Sequence, residues 1–257
     1  MADKLQLVQG CLSFDSSPHM SVMDALDLDV IKGRSTVLLG PSGCGKSTLL
    51  NVLAGFQYLD RGQVRLDSQP VDGPSGQRAV VFQHDALLPW LTVWENVAIG
   101  LKIKGISRAE RYQIAIEYLA LIGLEACANQ QIDQLSGGQR QRVGLARALA
   151  IQPDFILLDE PFGALDALTR EKMQHLLLKV WQQTRVGLLL ITHSVDEALL
   201  LATDLYLLQG PPVRLATALQ PDYAHRFLQG ASIRELRADR QFALQRQTIL
   251  DQLLEGQ

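Results

Sequence analysis

Three short segments carry residues whose types and spacing suit work on a phosphate anhydride. The first is Gly40-Pro41-Ser42-Gly43-Cys44-Gly45-Lys46-Ser47-Thr48. It follows a strand-like apolar run and opens a helical pattern, the context of a P-loop. Its glycines let the backbone wrap closely enough to turn N–H groups toward phosphate oxygens. The helix start adds unpaired donors and a partial positive charge. Lys46 would neutralise β- and γ-phosphate charge, and the Ser47 hydroxyl would ligate Mg2+. Cys44 reads as a small loop residue rather than a reactive thiol.

The second segment, Phe155-Ile156-Leu157-Leu158-Asp159-Glu160, is an apolar strand ending in two carboxylates. Alone, such a pair is weak evidence, since acidic residues often cap strands and start turns. Beside a P-loop, Asp159 is placed to hold Mg2+ through its water shell and Glu160 to polarise an attacking water as general base. Together the two segments describe a site for a nucleotide's phosphates, Mg2+ and an attacking water. The third segment, Leu135-Ser136-Gly137-Gly138-Gln139, precedes a long helical pattern. It offers a hydroxyl and free N–H groups as a second anion cradle; the plain alternative is that Ser136 is a helix N-cap. One nucleotide does not need two cradles on one chain, unless the second belongs to a neighbour's site.

The elements that must position these residues follow from hydropathy. Strand-like runs occur at residues 5–12, 25–31, 36–39, 63–66, 79–82, 155–158, 188–192 and 204–208. Several are apolar without alternation, as in strands covered on both faces of a central sheet. Helical patterns at 46–54, 170–184 and 195–202 lie between them, predicting a mostly parallel, layered α/β sheet. Residues 93–150 show only helical segments, notably 108–122 and 138–150, and read as an all-helical insertion. The tail predicts a short strand ending at Thr217 and helices at 223–228 and 238–254. One domain is expected: an α/β core at about 1–83 and 151–217, a helical subdomain at about 84–150 and a helical extension at about 218–257.

Composition narrows the class. With 47% hydrophobic and 20% charged residues the chain can bury a sizeable core. A net charge of −3 gives no electrostatic reason to expect nucleic acid as a partner. Cys11, Cys44 and Cys127 form no C-x-x-C pair, which argues against a zinc site or disulfide framework and for a reducing cytosol. The first residues lack the pattern of a signal peptide. The most apolar stretch, 186–208, is broken by His193, Asp196, Glu197 and Asp204, so membrane association is expected to come through a partner.

With these motifs in this order, the chain resembles the ABC ATPase family over essentially its whole length. The resemblance implies a P-loop NTPase fold with an inserted helical subdomain, ATP and Mg2+ as ligands, and a head-to-tail homodimer. Each ATP would lie between one subunit's residues 40–48, the Walker A loop, and the other's signature, residues 135–139. Asp159 matches the Walker B carboxylate, Gln83 the Q-loop contact to Mg2+ and water, Asp166 the D-loop and His193 the switch histidine at the γ-phosphate. Phe14 sits where an aromatic would stack on adenine, or else is a core aromatic. The residue after His193 is Ser194, where many relatives carry an acid.

Within the family, Leu87-Leu88-Pro89-Trp90 is similar to the nitrate, sulfonate and taurine importer group, and the tail around 224–230 and 240–242 to taurine-importer ATPases. This likeness implies two membrane-spanning permease subunits, an extracytoplasmic solute-binding protein as indirect partner, and a place on the cytoplasmic face of the inner membrane. It ranks taurine first, other alkanesulfonates second and nitrate third. Pro89 and Trp90 would then form the permease docking surface; the alternative is that Trp90 packs inside the helical insertion. A non-transport ABC ATPase is the rival, without the coiled-coil insertion or basic surface it would need.

Overall fold

The computed structural model describes residues 3–13, 21–83 and 86–255. Its central sheet has six strands in the order β10-β9-β3-β8-β7-β6. These are β3 (Ser35–Leu39), β6 (Arg78–Val81), β7 (Phe155–Asp159), β8 (Gly187–Thr192), β9 (Asp204–Gln209) and β10 (Arg214–Leu219). All neighbours pair in parallel except β10, which runs antiparallel to β9. The apolar runs are explained by burial on both faces. In β3, Val37 and Leu39 join one core and Leu38 the other; in β8, Leu188 and Leu190 part in the same way from Leu189 and Ile191.

The remaining early strands do not join this sheet, contrary to the single central sheet expected. β1 (Lys4–Ser13), β2 (Ser21–Ile31), β4 (Arg61–Leu66) and β5 (Gln69–Pro70) form a separate antiparallel sheet in the order β2-β1-β4-β5. In β1, Leu5, Leu7 and Leu12 are buried while Lys4 and Gln6 are less so, the alternation of a sheet with one packed face. That face meets α1 (Lys46–Ala54), whose Leu49, Leu50 and Leu53 share its core together with one face of the central sheet.

The helices of the middle region enclose a core of their own. α2 (Val93–Val97), α3 (Ile99–Ile103), α4 (Arg108–Leu121) and α5 (Gly137–Ala150) gather Val93, Trp94, Leu101, Leu119, Leu135 and Val143. The other face of the central sheet carries α6 (Ala167–Thr184) and α7 (Val195–Leu201), with Leu145 and Leu149 of α5 reaching it too.

The tail forms α8 (Tyr223–Leu228), α9 (Ile233–Ala238) and α10 (Arg240–Glu255). The helix expected at 238–254 forms as α10, starting two residues later, with α9 as a separate helix before it. Asp239 has extended backbone, and its carboxylate accepts the Gln241 N–H at 2.9 Å and pairs with Arg226 at 2.8 Å, which ends one helix and starts the next. Ile233, Leu236 and Phe242 of this tail are buried in the same core as α6 and α7, and Phe242 meets the Tyr223 ring edge-on at 4.9 Å. Phe242→Ala is therefore expected to cost about 3–5 kcal/mol, as for an aromatic truncated inside a continuous core. Urea denaturation measures this; a loss below about 1 kcal/mol would mean that the tail packs independently.

Candidate active site

Parallel pairing in register brings four chain segments to one edge of the sheet. Leu39 lies beside Thr192, Ile191 beside Asp159, and Leu158 beside Val81. The residues just past these strand ends are Gly40–Lys46, His193, Glu160 and Gln83. Functional sites of open parallel sheets form at this carboxyl-terminal edge.

The loop from β3 to α1 depends on its glycines at two points. Gly45 is left-handed (φ 103°), and a Cβ there would stand 2.5 Å from Val213 Cγ2; a Cβ on Gly40 would stand 2.8 Å from the Leu208 carbonyl oxygen. Lys46 is 5% exposed, and its ammonium donates to the carbonyls of Gly40 at 2.9 Å and Pro41 at 2.7 Å. Cys44 points the other way, into the core, where burial raises its thiol above the ordinary value. A thiol held protonated makes a poor nucleophile, so Cys44 serves the loop by size and backbone.

Ser47, the second residue of α1, donates its hydroxyl to Asp159 Oδ1 at 3.1 Å across the mouth of this loop. Burial pushes the Asp159 carboxyl upward, opposed by the Ser47 hydrogen bond. Next to it, Glu160 has a left-handed backbone (φ 44°), a strain of order 1–3 kcal/mol for a residue with a side chain. The Glu160 N–H is anchored on the Ile191 carbonyl at 3.1 Å, and its Oε2 lies 3.1 Å from His193 Nδ1. Gly163 closes the cluster: a Cβ there would lie 3.6 Å from Gln83 Nε2 and 3.9 Å from Glu160 Oε2. Gln83, Glu160 and His193 thus converge from three strands. Sequence reading has no signal for Gly163, nor for Arg170, which donates to the carbonyls of Phe162 and Leu165 and holds the intervening loop.

Residues 135–139 lie elsewhere. Leu135 is buried in the helical core, and Ser136 N-caps α5, its hydroxyl accepting the Gln139 N–H at 3.3 Å while Gln139 accepts the Ser136 N–H at 2.8 Å. Gly138 lies against α6, where a Cβ would stand 2.5 Å from Thr169 Cγ2, whereas around Gly137 there is open space. Asp166 N-caps that same α6, accepting from the Leu168 and Thr169 N–H groups; the Thr169 side-chain hydrogen bond first, and then these backbone bonds, hold its carboxyl below the usual range. The signature segment and Asp166 are therefore neighbours. Three strand spacings, about 14 Å, separate β3, which feeds the phosphate loop, from β6 at the sheet edge beside α5. Phe14 lies outside the described residues.

Trp90 sits in the turn Leu88-Pro89-Trp90-Leu91 and is 73% exposed, so it does not pack inside the helical insertion. Fully buried Asn96 frames the turn, accepting the Leu88 N–H at 2.8 Å and donating to the Leu88 and Leu91 carbonyls at 3.1 and 3.2 Å. Within the helical insertion it is Trp94 that packs inward, edge-on to Tyr112. Among the described residues, no helix is long and apolar enough to cross a membrane.

The sequence profile of the ABC transporter family matches residues 23–163. This chain belongs to the ABC transporter family. A member from Pseudomonas aeruginosa, the taurine import ATP-binding protein TauB, is 57% identical over 245 residues, 95% of this chain and 93% of that one. A bacterial ABC transporter cassette solved as a dimer is 31% identical with a TM-score of 0.74, covering 84% of this chain and 98% of that one. A dimeric ATP-binding cassette in a post-hydrolysis state, bound to ADP and phosphate, is 30% identical with a TM-score of 0.72, at the same coverage. As an ABC ATPase, the chain binds and hydrolyses ATP.

Two substitutions are expected to separate binding from cleavage at this candidate site. Lys46→Ala is expected to abolish binding of a fluorescent ATP analogue, because the loop loses its cation. Glu160→Gln is expected to keep nucleotide affinity within a few-fold while turnover falls by about 10²–10⁴, the usual span for losing a general base. Wild-type turnover in Glu160→Gln would remove Glu160 from that role.

Proposed function

We propose that this chain is the ATPase subunit of an importer for taurine or related sulfonates, working as a pair of copies beneath two membrane-spanning permease subunits on the cytoplasmic face of the inner membrane. The observation that carries the catalytic part is the meeting of Lys46, Ser47, Asp159, Glu160, His193 and Gln83 at the ends of four parallel strands. The solute is inferred from the 57% identity to a protein named for taurine import.

The donor set suits Mg2+. A hydroxyl and a carboxylate in contact at the phosphate loop are hard oxygen ligands, and Mg2+ is commonly held by one or two such groups with substrate phosphates and water. Ser47 and Asp159 would hold it, Gln83 would contact it, and it would supply charge neutralisation on the phosphates. Gly40 and residues 42–45 would present backbone N–H groups to phosphate oxygens, and Lys46 would exchange its loop carbonyls for them. Glu160 would accept the proton of the attacking water. His193, already 3.1 Å from Glu160, would keep that carboxylate aimed and face the γ-phosphate.

The second anion cradle completes this reading in a partner copy. Ser136 and Gly137 stand at the open start of α5, far from their own chain's phosphate loop, and Asp166 is beside them. A second copy reversed against the first would bring this signature over its nucleotide. The permease contact falls to Pro89 and Trp90. An exposed tryptophan on a turn framed by buried Asn96 is a rigid apolar anchor, and Phe82, one residue before Gln83, adds a surface stack with Phe56 at 6.0 Å. Nucleotide contact at Gln83 is thereby linked over a few residues to the docking turn.

Two measurements test the assignment. In a strain lacking this chain, its expression should restore uptake of labelled taurine; restoration of nitrate uptake with none of taurine would replace the solute. Trp90→Ala should leave melting and the basal ATPase of the isolated subunit within experimental error while reducing co-purification with the permease by tenfold or more, since truncating a central interface aromatic commonly costs about 2 kcal/mol or more. A large fall in melting temperature with assembly intact would reject the docking role.

A further inference from the structure

A buried carboxylate behind the histidine loop has no part in the steps above. Glu197, on α7, is 7% exposed, and burial raises its carboxyl above the ordinary range. Its Oε2 accepts the Thr192 hydroxyl at 2.6 Å. That hydroxyl accepts the Ser194 N–H at 3.0 Å, and Ser194 Oγ accepts the Glu197 N–H at 3.4 Å. Both neighbours of His193 are thus tied to one buried group. The His193 side chain itself is 57% exposed, so packing does little to fix its ring.

The other carboxylate oxygen faces the opposite loop. Glu197 Oε1 lies 3.7 Å from Arg170 Nε and 3.4 Å from Nε2 of the fully buried Gln174. Arg170 donates to the carbonyls of Phe162 at 3.4 Å and Leu165 at 2.9 Å, between Glu160 and Asp166. Gln174 in turn accepts from Arg237 of α9 at 3.4 Å. One buried side chain therefore joins the backbone beside His193, the loop that leads to Asp166 and the C-terminal helices.

We infer that Glu197 is a positioning residue for ATP hydrolysis, fixing through Thr192 the backbone that aims His193 at Glu160, and through Arg170 the loop that carries Asp166. Catalytic groups must be held to about 0.5 Å, and supporting hydrogen bonds supply that where packing does not. Since α6 and α7 are also held to α9 through Gln174, a shift of the C-terminal helices would reach both loops together. The inference rests on the roles given above to Glu160 and His193.

Steady-state ATPase kinetics and melting of four variants test it. Thr192→Val keeps a β-branched side chain in buried β8 and replaces the hydroxyl with a methyl group of similar size. It should lower kcat at least tenfold, about 1.4 kcal/mol of barrier, with KM for ATP within twofold and melting within a few degrees. Thr192→Ser should recover most of that loss. Glu197→Gln, which keeps an acceptor but loses the charge facing Arg170, should show the same split between kcat and KM, and decides the matter alone should Thr192→Val fail to fold. Wild-type kcat in both Thr192→Val and Glu197→Gln, with His193→Ala inactive, would overturn the positioning role. So would a kcat loss that Thr192→Ser does not recover. Wild-type kcat in His193→Ala would overturn the underlying site reading, and this inference with it.

Discussion

Everything at the nucleotide edge depends on the parallel register of β3, β8, β7 and β6. Each strand is apolar on both faces, and each ends within a residue of its neighbour, at Leu39, Thr192, Asp159 and Val81. A slip of one residue would turn every side chain to the opposite core and move its polar terminus away from the others. The two cores that fix the register therefore also set the contacts between Ser47 and Asp159 and between Glu160 and His193. Strain at Glu160 is tolerated because its N–H is tied to β8 and its carboxylate to His193.

The helical region obeys a different constraint. α2 to α5 bury Trp94, Leu119 and Val143 around a core of their own, and Leu135 of the signature belongs to that core rather than to the nucleotide edge. Ser136 is used locally as a helix cap, yet the α5 start beside it remains open at Gly137. A cap and an anion cradle are the same physical object, a helix start with N–H groups to satisfy, so the two readings of Ser136 do not conflict. In the proposed pairing, the cradle at this start serves the nucleotide held by the loop after β3 of the other copy.

Legibility in the sequence followed contiguity. The loop 40–48, the Asp159-Glu160 pair and α1 are contiguous signals, and the helix over Lys46–Ala54 forms at the bounds its hydropathy predicts. α6 and α5 begin before the patterns at 170–184 and 138–150, because Asp166 and Ser136 cap the first turn of each. The separate antiparallel sheet was not readable: alternation in β1 marks a one-faced strand, but which strands pair is decided by partners far along the chain. For the same reason the Arg170 and Glu197 contacts leave no local trace, and Glu197 reads only as a break in an apolar run. Trp90 and Trp94 look alike in sequence; the turn framed by Asn96 sends one outward and the helix buries the other.

In the proposed pairing, one chain carries two halves of two different sites. Light scattering of the Glu160→Gln variant, with and without saturating ATP, tests it most directly, because blocked cleavage should trap the closed pair. The expected mass is that of two chains with ATP and of one chain without it, with no such change when Ser136→Arg is added although ATP still binds. A Glu160→Gln chain that remains a monomer when saturated with ATP would contradict it.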